Sequence, residues 1–210
     1  MTQSITLYDY WRSSCSWRIR WALRHKAVPY ASQTVNLLTN EQRDAKFLAK
    51  NPMGFVPAIE ISDGVFGESL AILEWIEETY PQKPLLPAAP VDRMRVRQIC
   101  QIIASGIQPI QNLSVMKRHS PDPKQQSEWA HYWIERGLQN LEPLVTKSAG
   151  TYCVGGSLTF ADLCLIPQIY NALRFNVNTT QFPTLMWIYQ HCLTLPECVA
   201  ASPQNQPGSS

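Results

Sequence analysis

The sequence lacks any apolar run near the roughly 20 residues that a membrane-spanning helix needs. It is also poor in charge, because only 16% of its 210 residues are Asp, Glu, Lys or Arg and the net charge is +2. The first four residues show neither the basic nor the long apolar region of a signal peptide. We therefore expect no membrane association and no nucleic-acid partner, and the 45% hydrophobic content is enough for a globular core.

The cysteines lack the close, regular spacing of a disulfide framework. They are Cys15, Cys100, Cys153, Cys164, Cys192 and Cys198. Four of the six lie in apolar helical or strand-like surroundings, which is typical of free thiols in a reducing, cytoplasmic compartment. His191 and Cys192, with Cys198 nearby, form a weak metal pattern that we interpret as helix packing, so we expect no metal.

One short stretch, residues 12–18, joins a predicted strand over Ile5–Tyr8 to a predicted helix that runs to Lys26. Its serines stand where a helix N-cap belongs. A helix N-terminus carries unpaired N–H groups and favours an anion, so two hydroxyls and the thiol of Cys15 could hold a thiolate or a carboxylate there. A simpler interpretation is that the serines only cap the helix and that Cys15 fills a gap.

The first 81 residues alternate short strands with helices. A helix between the first two strands predicts a parallel crossover, and Asp63-Gly64 predicts an antiparallel hairpin. Prolines at every third position then predict a stiff linker over residues 82–90. The pattern is helical over residues 91–201, with a capping box at Thr159–Asp162. Residues 202–210 are polar and predict a disordered tail.

Three further signals concern a ligand site. Arg18 replaces the second cysteine of a C-x-x-C motif, so the chain lacks the resolving thiol that a disulfide oxidoreductase needs. Pro57 at the start of a strand would leave the backbone of Val56 open to an extended peptide, or would merely protect an edge strand. Ser69 would cap the next helix, or would join Glu68 in holding a ligand's carboxylate and amino group.

Taken together, these motifs resemble the glutathione transferase superfamily, and within it the zeta class. The matching stretches are Ser13–Arg18, Asn51–Met53, Val56–Pro57, Glu68–Ile72, Gly106–Pro109, Gln111–Val115 and Tyr152–Leu165. The resemblance extends over about residues 5 to 200. It implies an α/β thioredoxin-like domain over residues 1–81, the linker, an all-helical domain over residues 91–201, and a homodimer.

The resemblance also implies a role for each matching residue. Ser14 would hold the sulfur of glutathione as a thiolate, with Ser13 and Cys15 beside it. Arg174 would hold a substrate carboxylate, although it could equally be a helix C-terminal charge that complements the dipole. Other contacts to glutathione would come from Gln42 at the glycine end, Val56 at the cysteinyl backbone, Glu68 and Ser69 at the γ-glutamyl group, and Gln108, Asn112 and Ser114 from the helical domain.

One departure from the family concerns Glu68, because the family usually has glutamine there. A carboxylate still accepts from the ligand's ammonium but adds negative charge near its α-carboxylate, so we expect altered affinity. For Arg12 and Arg18 an alternative interpretation is a surface charge on the first helical turn.

The implied activity is glutathione-dependent cis–trans isomerisation of a small acidic maleyl substrate, maleylacetoacetate, in aromatic amino-acid breakdown. Alternatives on the same site are isomerisation of maleylpyruvate and conjugation or dehalogenation of small α-halo acids. A glutathione-binding module without turnover is a third alternative, which the joint presence of Ser14, Cys15 and Arg174 disfavours.

Overall fold

The computed structural model describes residues 4–209. The prediction that there is no signal peptide concerns mainly residues 1–3, which lie outside the described residues. The chain divides into two compact units, one formed by Met1–Lys83 with Leu195–Ser210 and the other by Pro84–Thr194. Within the described range, no helix combines the length and the apolar character needed to cross a membrane.

A four-stranded mixed sheet is the centre of the first unit. Its strands are β1 (Thr6–Asp9), β2 (Ala31–Thr34), β3 (Ala58–Ile61) and β4 (Gly64–Phe66), in the order β2-β1-β3-β4. β1 pairs with β2 in parallel, and β3 pairs with both β1 and β4 in antiparallel fashion. The structure thus confirms the predicted parallel crossover and the hairpin at Asp63-Gly64.

Helix α1 organises the packing of the first unit. This helix is Ser14–His25, and the other α-helices of the unit are α2 (Ala45–Leu48), α3 (Ser69–Thr79) and α9 (Pro196–Ala201). Trp17, Ile19, Trp21 and Leu23 are buried on α1, and the helix packs against both α3 and α9. Nearly every residue of α1 up to Leu23 is therefore inaccessible to solvent, including charged ones.

The end of the chain corrects two expectations from the sequence. The segment from Leu195 belongs to the first unit rather than to the helical domain. Residues 202–209 are not a disordered tail, because Pro203–Asn205 form a 3₁₀ turn with Ser202 and Pro203 buried. The amide of Gln206 donates to the carbonyls of Ala200 and Ser202. The prediction rested on polar composition, which does not reveal that these side chains form hydrogen bonds with nearby backbone groups.

The second unit is helical. It contains α4 (Pro90–Gln101), α5 (Leu113–His119), α6 (Pro123–Thr146), α7 (Phe160–Arg174) and α8 (Pro183–Cys192). A π-helical segment, Ile102–Ile107, follows α4 directly. This segment approaches α6 at Gly137, where a Cβ atom would lie 2.4 Å from the side chain of Ile107, so a larger residue would force that side chain to shift.

A capping box fixes the start of α7, as the sequence predicts. The carboxylate of Asp162 accepts from the N–H of Thr159 and from the N–H of Cys153, both at 2.8 Å. Burial raises the pKa of Asp162, which these N–H donors oppose. The predicted linker also contributes to this unit: Leu85 is buried, and its carbonyl accepts from the N–H of Phe160 at 3.1 Å.

Candidate functional site

The N-terminus of α1 is capped by Ser13. Its hydroxyl accepts from the N–H of Ser16 at 3.2 Å, and its own N–H donates to the carbonyl of Tyr10 at 2.9 Å. The prediction of a serine N-cap is thus confirmed. Ser14 follows as the first helical residue and is buried, whereas Cys15 is partly exposed.

Cys15 differs from the other cysteines of the described chain, because the remaining five are buried. Burial raises the pKa of Cys198 to about 12 and raises that of Cys153 well above its ordinary value. These two groups therefore stay protonated as packing thiols. Cys15 is instead partly exposed and lies in the first turn of α1.

The alternative interpretation of Arg18 as a surface charge is wrong. Its side chain is fully buried, at 0% exposure. Nη1 of its guanidinium donates to the Sγ atom of Cys15 at 3.6 Å and to the Oγ atom of Ser69 at 3.1 Å. It lies four residues after Ser14 and so shares a helix face with it. The guanidinium of Arg18 thus links Cys15, in the first turn of α1, to Ser69 at the start of α3 by hydrogen bonds.

The start of α3 differs from the simplest expectation, since Ser69 does not cap the helix. Glu68 occupies the N-cap position, with φ +64° and ψ 103° and no side-chain cap bond, and Ser69 is the first helical residue and is buried. A positive φ at a residue with a Cβ atom is a strained backbone conformation, and such strain is concentrated at ligand sites. The side chain of Glu68 is exposed.

Val56 precedes Pro57 through a cis peptide bond, just before β3. Within residues 4–209, neither its N–H nor its C=O takes part in a hydrogen bond. Its side chain packs against the buried cluster of Tyr8, Val35, Phe47 and Ala58. An extended backbone segment just before a strand, with both polar groups unpaired, can pair with a short extended ligand.

Gln42 lies apart from these residues, in the 3₁₀ turn Glu41–Arg43. Its side-chain nitrogen is 3.5 Å from Oδ1 of Asn40. Its Oε1 atom is buried and has no hydrogen-bonding partner among the described residues. The side chain therefore keeps a polar atom that a ligand group could satisfy.

In the second unit the predicted residues follow the π-helical segment. The N–H of Gln108 donates to the carbonyl of Ile103 at 2.9 Å. Asn112 is the N-cap of α5, and its Oδ1 atom accepts from the N–H and from the hydroxyl of Ser114, at 3.1 and 3.0 Å. The structure thus brings Asn112 and Ser114 together directly.

A buried amide pair, which the sequence analysis missed, ties this segment to α7. Nε2 of Gln111 donates to Gln168 at 3.0 Å, and Nε2 of Gln168 donates back at 3.3 Å. Both side chains are buried. Gln168 stands alone within the apolar run of α7, and this could have indicated the pair, because a buried amide needs a hydrogen-bonding partner.

Arg174 ends the same helix, is exposed, and donates to Oδ1 of Asn171 at 3.0 Å.

The sequence matches two family models, and the second extends past Thr194 into the segment that belongs to the first unit. Residues 12–79 match the glutathione S-transferase N-terminal domain, and residues 108–204 match the glutathione S-transferase C-terminal domain. The chain therefore belongs to the glutathione S-transferase family. Its sheet and helices have the predicted architecture, an α/β thioredoxin-like unit and an all-helical unit.

Among its relatives, a maleylacetoacetate isomerase from Dictyostelium discoideum is 47% identical over 99% of this chain and 97% of that protein. The crystal structure of a maleylacetoacetate isomerase from Anaeromyxobacter dehalogenans, with glutathione in its active site, is 40% identical, with a TM-score of 0.91 over 100% of this chain and 99% of that one. A bacterial zeta-class maleylpyruvate isomerase is 36% identical, with a TM-score of 0.94 over 98% of this chain and 100% of that one.

Proposed function

We propose that this protein is a glutathione-dependent cis–trans isomerase that converts maleylacetoacetate to fumarylacetoacetate. The observation that carries the proposal is the corner at the start of α1, where Ser14 and the partly exposed Cys15 share the first helical turn. Near-complete similarity to a maleylacetoacetate isomerase supports the same activity.

The residues of the first unit fit glutathione. The unpaired backbone groups of Val56 match the amide groups of its cysteinyl residue. The hydroxyl of Ser69, at the start of α3, would bind the γ-glutamyl group beside Glu68. Gln42 has a buried polar atom that suits the glycine end. Ser13, Ser14 and Cys15 would then surround the sulfur.

When bound, glutathione supplies a thiolate that adds reversibly to the cis double bond and so permits rotation before it leaves again. The chain's part is to keep that sulfur ionised at neutral pH. A thiol of ordinary pKa, about 8.5, needs its pKa lowered by about one to three units, at about 1.4 kcal/mol per unit. The N–H groups at the start of α1 and the hydroxyl of Ser14 can supply an effect of this size.

The helical unit would hold the acidic substrate. Arg174 is an exposed guanidinium whose orientation is set by Asn171, and a planar guanidinium binds carboxylates well. The resemblance to the zeta class implies contacts to glutathione from Gln108, Asn112 and Ser114. Maleylpyruvate is the second candidate substrate, favoured by the similarity to the zeta-class maleylpyruvate isomerase.

We further propose that the protein is a cytoplasmic homodimer that acts in phenylalanine and tyrosine breakdown. The free cysteines of the described chain support a reducing compartment. The homodimer and the pathway are what membership of the zeta class implies.

An isomerase assay tests the proposal. Purified protein is given maleylacetoacetate or maleylpyruvate, with and without added glutathione, and formation of the trans product is followed. We expect turnover of maleylacetoacetate only when glutathione is present. Equal rates without a thiol would refute the mechanism, and faster turnover of maleylpyruvate would favour the second candidate.

A further inference from the structure

We propose that Arg18 is a positioning residue of the glutathione site: one guanidinium nitrogen holds the hydroxyl of Ser69 and the thiol of Cys15 in a fixed relation to each other. The inference rests on the proposed function. Arg18 does not have to touch the ligand for this role, because it acts through the two side chains that do.

The first observation is the sharing of a single nitrogen. Nη1 lies 3.1 Å from Oγ of Ser69 and 3.6 Å from Sγ of Cys15, and a guanidinium nitrogen of this kind carries two N–H groups. Each N–H can therefore serve one of the two acceptors. Since the guanidinium is planar and rigid, the two acceptors are held at a defined angle as well as at a defined distance.

The second observation is that two of the three side chains, those of Arg18 and Ser69, are buried. Arg18 is 0% exposed and Ser69 is 6% exposed, whereas Cys15 is partly exposed. Arg18 extends from the second turn of α1 and reaches the first residue of α3, two helices that pack against each other. A charge inside a protein is costly unless polar groups surround it, so its placement beside these two acceptors is a specific feature of the site.

The direction of the hydrogen bonds gives Arg18 its effect. A serine hydroxyl has one proton to donate and accepts through its lone pairs. Because the oxygen of Ser69 accepts from Arg18, its proton is directed elsewhere, and a ligand carboxylate at the γ-glutamyl end can accept it. The sulfur of Cys15 also accepts from Arg18, which fixes the position of the sulfur relative to the hydroxyl of Ser69.

The experiment is a double-mutant cycle on glutathione binding. Isothermal titration calorimetry gives the dissociation constant for the wild-type protein, for Arg18→Met, for Ser69→Ala and for the double variant. We expect each single variant to bind glutathione about tenfold more weakly, as for loss of a hydrogen bond to a charged group. If Arg18 acts through Ser69, the double variant is within about twofold of the weaker single variant.

Arg20 provides a matched control. It is also an arginine of α1 at 0% exposure, but it binds Asp9 and the carbonyl of Ala201 instead. The variants Arg18→Lys and Arg20→Lys each keep the positive charge but replace the planar set of guanidinium N–H donors with an ammonium group. We expect a loss of affinity in the first variant and unchanged affinity in the second, and this pair also serves if Arg18→Met fails to fold.

A second readout needs no ligand. Cys15 is the only accessible thiol among the described residues, so alkylation by iodoacetamide reports on it selectively. Because Arg18→Met removes the donor that fixes the sulfur, we expect the alkylation rate to change by about threefold or more, and Arg20→Lys to leave it unchanged.

The outcomes separate the two proposals. If the wild-type protein does not bind glutathione, the proposed function fails and this inference fails with it. If the wild type binds but the losses in the cycle multiply, to about a hundredfold in the double variant, Arg18 does not act through Ser69 and the inference alone is overturned. Equal losses in Arg18→Lys and Arg20→Lys would also overturn it, because they would indicate a general loss of packing.

Discussion

Two arginines of α1 are fully buried, and they differ in the groups around them. Arg18 and Arg20 lie two positions apart in the sequence and so point about 200° apart around the helix. Arg20 forms an ion pair with Asp9 at 2.9 Å and donates to the carbonyl groups of Ala201 and Trp11, both at 3.0 Å. Arg18 binds a thiol and a hydroxyl at two helix N-termini.

The comparison shows that the burial of a charge does not by itself reveal its purpose. Burial lowers the pKa of Arg20, and the charge of Asp9 opposes this effect. The partners of Arg20 are a carboxylate and main-chain oxygens, which stabilise the fold and hold the end of the chain. The partners of Arg18 are side chains proposed to touch the ligand. We therefore expect loss of stability on the Arg20 face and loss of function on the Arg18 face.

The largest effect is expected for Arg20→Met. It leaves the carboxylate of Asp9 buried without its cation, and breaking a buried ion pair in this way typically costs about 3 to 5 kcal/mol. Urea denaturation, followed by circular dichroism, measures the free energy of unfolding. In the double variant Asp9→Leu/Arg20→Met we expect much of this loss to be recovered, because no unpaired charge remains. If Arg20→Met is as stable as the wild type, the claim that Arg20 stabilises the fold is wrong.

The next effect concerns catalysis on the other face. We expect Ser14→Ala to lower kcat/KM by about a hundredfold, which is typical for loss of one preorganised donor to a developing or stored anion. Ser16→Ala is its control: Ser16 is also buried in the first turns of α1, and its hydroxyl has no hydrogen-bonding partner among the described residues. Steady-state kinetics with the maleyl substrate should show normal activity in the control. An unchanged rate in Ser14→Ala would argue strongly against its assigned role.

Local signals in the sequence predicted the fold well. The N-cap at Ser13, the hairpin at Asp63-Gly64 and the capping box at Thr159 each depend on residues close together in the chain. The sheet order then follows from short connections and a right-handed crossover. The end of the chain was predicted wrongly because its polar composition gave no sign of the contact between Ala201 and Arg20, 181 residues away.

The site was predicted less completely for the same reason. Its motif residues are recognisable in the sequence, but what orients them depends on distant pairs. Arg18 meets Ser69 across 51 residues, and Gln111 meets Gln168 across 57. No periodicity or turn signal encodes such a pair. An arginine or glutamine inside an apolar helical run is the only trace, and it shows that a partner exists without showing which one.

A third arginine extends the comparison to the helical unit. Arg174 is exposed at the end of α7, where it could serve only the helix dipole. If it binds the substrate, we expect Arg174→Ala to raise KM for the maleyl substrate about tenfold and to leave the affinity for glutathione nearly unchanged. Titration of the maleyl substrate at saturating glutathione measures the first quantity, and titration of glutathione at saturating substrate measures the second. Equal effects on both ligands would contradict the role in substrate binding.

The smallest effect is expected at Glu68, beside the hydroxyl that Arg18 orients. Its carboxylate is exposed at the N-cap of α3, so solvent and salt screen its charge. We expect Glu68→Gln to bind glutathione about two- to fivefold more tightly, because the amide keeps an acceptor for the ligand's ammonium and removes one like charge near its α-carboxylate.

Calorimetry at low and at high salt tests this expectation, with Glu78→Gln as the control. Glu78 is an exposed carboxylate at the opposite end of the same helix, and its removal changes the net charge equally. The gain should appear only in Glu68→Gln and should diminish in about 1 M salt, where the Debye length is about 3 Å. Weaker binding by Glu68→Gln would mean that the ion pair with the ammonium outweighs the repulsion. The strained backbone at Glu68 would then hold a charge that benefits the ligand, as Arg18 is proposed to do from the other side of Ser69.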